Sequence, residues 1–138
     1  MLQIAICDDI PAYQQIIQSE IEKVLKLSHK ITLFSTGKEF LEKLSEGKCP
    51  YQIVFMDIDF GTENISGISI AKKISAVNPM TQIIFISQYL EFASDVYETA
   101  HVYFIIKNRL SELLGKALNT ALSKLSEVQK QHLYFRTK

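Results

Sequence analysis

The chain has 138 residues, of which 47% are hydrophobic and 22% charged, and its 15 basic residues balance its 15 acidic ones. This length suits one domain with a single core, and a formal charge of zero argues against nucleic-acid binding by this segment alone, since such binding needs a basic face. No apolar run is long enough to cross a membrane, no signal-peptide pattern opens the chain, and the only cysteines are Cys7 and Cys49. We therefore expect a reduced, cytoplasmic protein.

Short apolar runs alternate with helical patterns along the chain. In chain order the prediction is strand 2–7, helix 11–28, strand 31–35, a short helix between Gly37 and Gly47, strand 52–57, a helix from Gly67 to the Asn-Pro pair at 78–79, strand 81–87, a modest helix or helical loop over 89–99, strand 101–106 and a long helix over 109–130. The strands are nearly continuous apolar runs, which is expected when both faces are covered. Strand–helix alternation predicts a parallel sheet, so the fold class is a doubly wound α/β sandwich.

Polar side chains collect where these strands end, and ligand sites in doubly wound sheets lie at the carboxyl ends of the strands. The residues there are Asp8 and Asp9 after the first strand, Asp57 and Asp59 at the third, Ser87 at the fourth and Lys107 after the fifth. Each one alone also fits a turn, a cap or a solvated position. Together they indicate a site. Repelling carboxylates are tolerable around a cation, and oxygen ligands without a His or Cys cluster favour Mg²⁺. Asp57 is the predicted nucleophile toward phosphorus, forming an acyl phosphate.

The segments ICDD, FMDID, FIS and YFIIK, in this order and spacing, resemble the receiver domain of two-component response regulators. The resemblance implies a flavodoxin-like, three-layer fold with five parallel strands in the order 2-1-3-4-5. It also implies a phospho-acceptor rather than an enzyme with turnover, with a sensor histidine kinase as partner. The roles that it implies are Asp57 as phospho-acceptor, Asp8, Asp9, Asp57 and the backbone carbonyl of Asp59 as Mg²⁺ ligands, Lys107 and Ser87 as phosphoryl contacts, and Phe104 as switch aromatic. Phe104 equally fits a core aromatic.

The sequence departs from the family pattern in three places. Asn108 follows Lys107 where the family usually has proline, and a cis bond before asparagine would cost about 3–4 kcal/mol, so we expect a trans bond there. The loop after Asp57 is longer than usual and lacks its proline. After Ser87, the large Tyr89 is predicted to lie near the rim of the site and to narrow access to it.

The last two departures, with FSTGKEFLE and GISIAKKI, resemble receivers that precede a LytTR-type DNA-binding domain. The tail QHLYFRTK has a strand-like aromatic–basic pattern. We therefore expect a receiver domain over residues 1–128 and a linker, or the start of a C-terminal DNA-binding domain absent from this chain, over residues 129–138. A frayed terminus is the alternative. The wide apolar stripe of the last helix predicts a homodimer through that helix and the fifth strand, although core packing alone would also explain it.

Other functions stay open at this point. DIDFGT (57–62) is similar to the nucleophile motif of haloacid-dehalogenase-type phosphatases, although Phe60 interrupts it. A flavin-binding flavodoxin would need a hydroxyl- and glycine-rich phosphate loop after the first strand, where this chain is acidic. A pseudo-receiver, folded but used only for protein contacts, is the third alternative. Turnover of a phosphate ester would indicate a phosphatase, and a coloured protein would indicate a bound flavin. Acceptance of a phosphoryl group would distinguish a receiver from a pseudo-receiver.

Overall fold

A five-stranded parallel sheet in the order β2-β1-β3-β4-β5 forms the centre of the protein. The computed structural model describes residues 1–60, 64–99, 101 and 103–136. The strands are β1 (Leu2–Cys7), β2 (His29–Phe34), β3 (Ile53–Asp57), β4 (Gln82–Ser87) and β5 (Tyr103–Ile106). The predicted flavodoxin-like order is therefore confirmed, and every strand lies close to its apolar run.

The described residues form α-helices on both faces of the sheet: α1 (Pro11–Val24), α2 (Gly37–Ser45), α3 (Gly67–Val77) and α4 (Leu110–Arg136). Pro11 opens α1, where its missing N–H leaves no hydrogen bond unmade. Thr36 and Ser66 cap α2 and α3, each accepting a hydrogen bond from a backbone N–H of the first turn. These caps fix where the two helices start.

The two faces of the sheet bury alternate side chains of the same strands. Val54, Met56 and Phe85 pack against α2 and α3 in one cluster, whereas Phe55 and Ile84 pack against α1 and α4 in the other. Because both faces are covered, the central strands are apolar throughout, and polar side chains are displaced to the ends of the strands. The fold therefore leaves the edges of the sheet, where the strands end, as the place for polar side chains.

The C-terminal segment corrects one sequence prediction. Residues 131–136, for which the aromatic–basic pattern predicted a strand, continue α4 to Arg136, beyond the predicted end at residue 130. A helix adds one hydrogen bond for each residue it gains, whereas a strand needs a partner strand that this segment does not have in the described chain. Leu110, Leu114 and Leu125 of the predicted dimer stripe are buried in the chain's own core. The side chain of Val128, from the same stripe, lies outside the described residues.

The β4–β5 connection contains two 3₁₀ helices, Leu90–Ala93 and Asp95–Glu98, where a modest helix or helical loop was predicted. Residues 61–63 of the long loop after β3 lie outside the described residues. Within the described chain, none of the helices combines the length and apolar character that crossing a bilayer demands.

Candidate functional site

Acidic side chains from two neighbouring strands meet at the carboxyl edge of the sheet. Asp8 directly follows β1, and Asp57 ends β3, whose Met56 pairs with Cys7 of β1. One carboxylate oxygen of each of Asp8, Asp9 and Asp57 lies within 4.8 Å of the other two. Asp8 and Asp57 are only 1% and 2% exposed. The structure thus brings together the side chains of three of the four acidic residues that the sequence singled out.

Lys107 reaches the same carboxylates from β5. It is the first residue of a 3₁₀ turn, Lys107–Arg109, that follows the strand. Its Nζ lies 3.0 Å from Asp8 Oδ2 and 3.5 Å from Asp57 Oδ2. The described residues contain no cis peptide bond, so the predicted trans bond between Lys107 and Asn108 is confirmed. The lysine therefore contacts both carboxylates without the backbone geometry that proline usually supplies.

Burial dominates the electrostatics of these carboxylates. It raises the pKa of Asp57 from 3.8 to about 8, with the charge of Asp8 adding to the increase and Lys107 opposing it. Burial also raises the pKa of Asp8, against the lowering effects of the Ile10 backbone N–H and of Lys107. A single ammonium thus does not fully compensate the acidic cluster. A second cation would lower both pKa values by favouring the ionised forms.

Three oxygens of the cluster have unused bonding capacity. Within the described residues, Asp8 Oδ2, Asp9 Oδ1 and Asp57 Oδ2 are buried and accept no hydrogen bond of good geometry, although Lys107 lies at ion-pair distance from two of them. Three clustered carboxylates beside a single ammonium are costly, and a hard divalent cation takes ligands of this kind. The donor set therefore fits the Mg²⁺ ion that the sequence predicted.

The loop after Asp57 is held in place by buried side chains and a glycine. Ile58 and Phe60 are buried in the core, and Asp59 between them is exposed, with its N–H donating to Asp57 Oδ1 at 3.4 Å. At the start of α3, a β-carbon on Gly67 would overlap the Asp57 carbonyl oxygen. The end of β3 and the first turn of α3 are therefore packed backbone against backbone. The role of the Asp59 carbonyl as a metal ligand stays a prediction.

Ser87 is buried at the end of β4, but its hydroxyl is used locally. It donates to the Tyr89 carbonyl at 3.2 Å and accepts from the Tyr89 N–H at 3.0 Å. Tyr89 itself lines a cleft of about 100 Å³ together with Asp9, Asp57 and Lys107. The prediction that Tyr89 lies at the rim is confirmed, and Ser87 adopts the turn arrangement of an ordinary strand-end serine.

Phe104 lies on β5 opposite Phe85 of β4. It is partly buried and packs against the core cluster on the α2 and α3 face, whereas Tyr103 packs on the opposite face. This position agrees with the reading of Phe104 as a core aromatic. Its role as a switch residue stays a prediction.

Two residues of α1 belong to the site although the sequence did not single them out. The Tyr13 ring lies under Lys107, with the ammonium 4.1 Å from the ring centroid. The buried Gln14 amide donates to the Asp8 carbonyl at 2.7 Å and lies 3.2 Å from Ser35 Oγ. Gln14 could have been found, because it falls in register with the buried Ile17 of the same helix, where a polar side chain needs a partner. Tyr13 gives no such signal.

The fold and the site define the class of protein: a flavodoxin-like α/β domain with an acidic cluster and a buried lysine at the carboxyl edge of the sheet. The model of the response regulator receiver domain matches residues 4–119, and the chain belongs to this family. It is thus the receiver domain of a two-component response regulator, a class of signalling domain. No curated protein gives a match.

Solved structures agree with the family. The N-terminal domain of a response regulator/sensory box/GGDEF 3-domain protein from Carboxydothermus hydrogenoformans is 22% identical, with a TM-score of 0.74, covering 92% of this chain and 98% of that one. The response regulator TrrA from Thermotoga maritima, solved in complex with Mg(2+)-BeF, is 26% identical, with a TM-score of 0.70 and coverage of 87% and 99%. A response regulator from Burkholderia pseudomallei, solved with a phosphorylated aspartic acid and a calcium ion, is 17% identical, with a TM-score of 0.69 and coverage of 96% and 73%.

Proposed function

We propose that Asp57 of this receiver domain accepts a phosphoryl group from a sensor histidine kinase. The observation that carries the proposal is the position of the Asp57 carboxylate: buried at the end of β3, within 4.8 Å of two further carboxylates and 3.5 Å from Lys107. A carboxylate oxygen would form the new bond to phosphorus while the bond from phosphorus to the histidine nitrogen breaks. Such transfers depend on positioning and charge neutralisation rather than on further covalent chemistry.

The acidic cluster would hold Mg²⁺ through the side chains of Asp8, Asp9 and Asp57 and the backbone carbonyl of Asp59. When bound, the ion would neutralise charge on the phosphoryl oxygens and keep Asp57 ionised. Lys107 would contact a phosphoryl oxygen, because it lines the same cleft as Asp57 and its Nζ lies 3.5 Å from Asp57 Oδ2. The response regulator from Thermotoga maritima was solved in complex with Mg(2+)-BeF, which supports the proposal that this domain binds Mg²⁺.

Phosphorylation would be read out through Ser87 and Phe104. A phosphoryl group adds negative charge and acceptor oxygens at the edge of the sheet. The Ser87 hydroxyl would exchange its bond to Tyr89 for one to the phosphoryl group, and Phe104, which is only partly buried, would move into the space that the loop leaves. The two arrangements form the two states of the switch.

The signal would pass to a LytTR-type, DNA-binding output domain in the cytoplasm, making the protein a transcription regulator. We assign the receiver to residues 1–128 and the linker or the start of the output domain to residues 129–138. Support comes from the segments FSTGKEFLE and GISIAKKI, which resemble LytTR-associated receivers. Dimerisation through α4 and β5 would use Leu113 and Leu122, which are only partly buried. A mass increase to the dimer on phosphorylation, measured by sedimentation, would test this interface.

Intact-mass measurement after incubation with acetyl phosphate and Mg²⁺ tests the central proposal. The wild type should gain one phosphoryl group, and Asp57→Asn should gain none. Glu42→Gln removes an exposed carboxylate on α2, outside the acidic cluster, so this control should still be phosphorylated. A wild type that gains no mass and binds no Mg²⁺ would instead support the pseudo-receiver alternative. Release of phosphate from an ester with turnover would support a phosphatase.

A further inference from the structure

We propose that Tyr13 is a positioning residue for Lys107, holding its ammonium over an aromatic ring and aimed at the phosphoryl site. The inference rests on the proposed phosphorylation of Asp57. It starts from one contact, in which Lys107 Nζ lies 4.1 Å from the centroid of the Tyr13 ring. A desolvated ammonium over a ring face is attracted by the quadrupole of the ring.

The Lys107 side chain is well protected from water, which strengthens this attraction. The side chain is 3% exposed, and its ammonium has three neighbours from three elements: Asp8 after β1, Asp57 on β3 and Tyr13 on α1. A lysine chain that is free to rotate loses considerable conformational entropy when it is fixed. Each neighbour removes part of that freedom before a phosphoryl group arrives.

The Tyr13 ring is itself fixed by the start of α1. The Tyr13 N–H donates to the Ile10 carbonyl at 3.0 Å, and the next residue, Gln14, ties the helix to the Asp8 carbonyl at 2.7 Å. The ring is partly buried and packs against the core between the sheet, α1 and α4. The Tyr13 ring is therefore held by the same first turn of α1 that is tied to Asp8 of the acidic cluster.

The ring differs from the other two neighbours in one respect that matters for the chemistry. Asp8 and Asp57 would direct their charge to a metal ion and to phosphorus during transfer, which weakens their hold on Lys107. The Tyr13 face keeps the same neutral, electron-rich surface throughout. It would therefore keep the ammonium in place when the carboxylates change partners. The contact with the ring matters more in this chain, because the bond from Lys107 to Asn108 is trans and the usual proline is missing.

Tyr13→Leu, which removes the ring, and Tyr13→Phe, which keeps it, test the assignment. With acetyl phosphate and Mg²⁺ we expect phosphorylation of Tyr13→Leu to be slower by about tenfold, within the range of a buried cation–π contact, and that of Tyr13→Phe to be close to wild type. Tyr103→Leu is the matched control, because Tyr103 is a partly buried tyrosine of the same core cluster. It should phosphorylate at the wild-type rate. Mg²⁺ affinity should be the same in all four proteins.

A second measurement does not depend on phosphorylation. Methylene protons of Lys107 close to the Tyr13 ring should show an upfield ring-current shift by NMR, retained in Tyr13→Phe and lost in Tyr13→Leu. Equal rates in Tyr13→Leu and wild type would overturn the inference, as would loss of the rate in Tyr13→Phe. A wild type that accepts no phosphoryl group would instead overturn the proposed function, even with the ring-current shift present.

Discussion

Replacing Asp57 with asparagine tests the electrostatic description of the site. The carboxyl has a pKa of 3.8 in the unfolded chain and of about 8 in the fold. Because the folded state binds the proton more tightly, ionisation of Asp57 destabilises the fold progressively as the pH rises through this interval. At about 1.4 kcal/mol for each tenfold difference in proton affinity, the destabilisation above the folded pKa reaches at most about 6 kcal/mol.

We expect Asp57→Asn to raise the free energy of unfolding at about pH 8 by about 2 kcal/mol in the absence of metal. The value is below the maximum because relaxation of the site around the charge reduces the penalty of burial. Asparagine has nearly the same shape and no charge. At about pH 5 the advantage should shrink, since Asp57 is then protonated in the folded wild type. Glu42→Gln removes an exposed carboxylate on α2, outside the acidic cluster, and should change stability by no more than about 0.5 kcal/mol.

Urea unfolding followed by circular dichroism, in EDTA and in excess Mg²⁺, gives these free energies. The difference between wild type and variant cancels contributions from groups such as His29, whose pKa is also raised. Mg²⁺ should stabilise the wild type and reverse the order of the two proteins. An Asp57→Asn variant that is less stable than wild type in EDTA at about pH 8, or an advantage that grows toward about pH 5, would refute the reasoning.

Three further substitutions follow from single contacts. Gly67→Ala should lower the free energy of unfolding in urea by about 1–3 kcal/mol, because the added methyl group would overlap the Asp57 carbonyl. The control Gly115→Ala, inside α4, should raise it slightly, because a β-carbon there would lie at an ordinary contact distance of 3.7 Å from Val24 Cγ2. Equal values for the two variants would contradict the packing argument. Lys107→Met should bind Mg²⁺ more tightly in calorimetric titration, because a cation that competes for Asp8 and Asp57 is removed. The same variant should accept the phosphoryl group more slowly. Weaker Mg²⁺ binding would contradict the idea that Lys107 and the metal share these carboxylates. Tyr89→Ala should widen the cleft of about 100 Å³. Phosphorylation of Asp57 and hydrolysis of the acyl phosphate, both followed by intact mass over time, should then be faster. Unchanged rates would show that Tyr89 does not limit access to Asp57.

The convergence of the acidic cluster could be predicted because it depends on topology alone. Once the apolar runs are identified as parallel strands, their carboxyl ends must meet at one edge, and Asp8, Asp57 and Lys107 follow from that. The trans bond before Asn108 could also be predicted, because the energy cost of a cis bond before a residue other than proline decides it locally.

The contacts between these residues could not be predicted in the same way. The ring of Tyr13 under Lys107 depends on the exact direction in which α1 leaves the sheet, to within an ångström or so. The Ser87 bond to Tyr89 depends on competition among several nearby acceptors. The extension of α4 over residues 131–136 overrides a short local pattern, because an adjoining helix is already formed.

The reciprocal hydrogen bonds of Ser87 bear on how easily the domain would reverse its response. Ser87 donates to and accepts from the same residue, Tyr89. Turning the hydroxyl toward a phosphoryl group would exchange one set of bonds for another of similar strength. The resting and activated forms would then differ by little energy, and the negative charge on phosphorus would decide the balance between them. When the phosphoryl group is lost, the Ser87–Tyr89 bonds would form again and Phe104 would return to its position against the core.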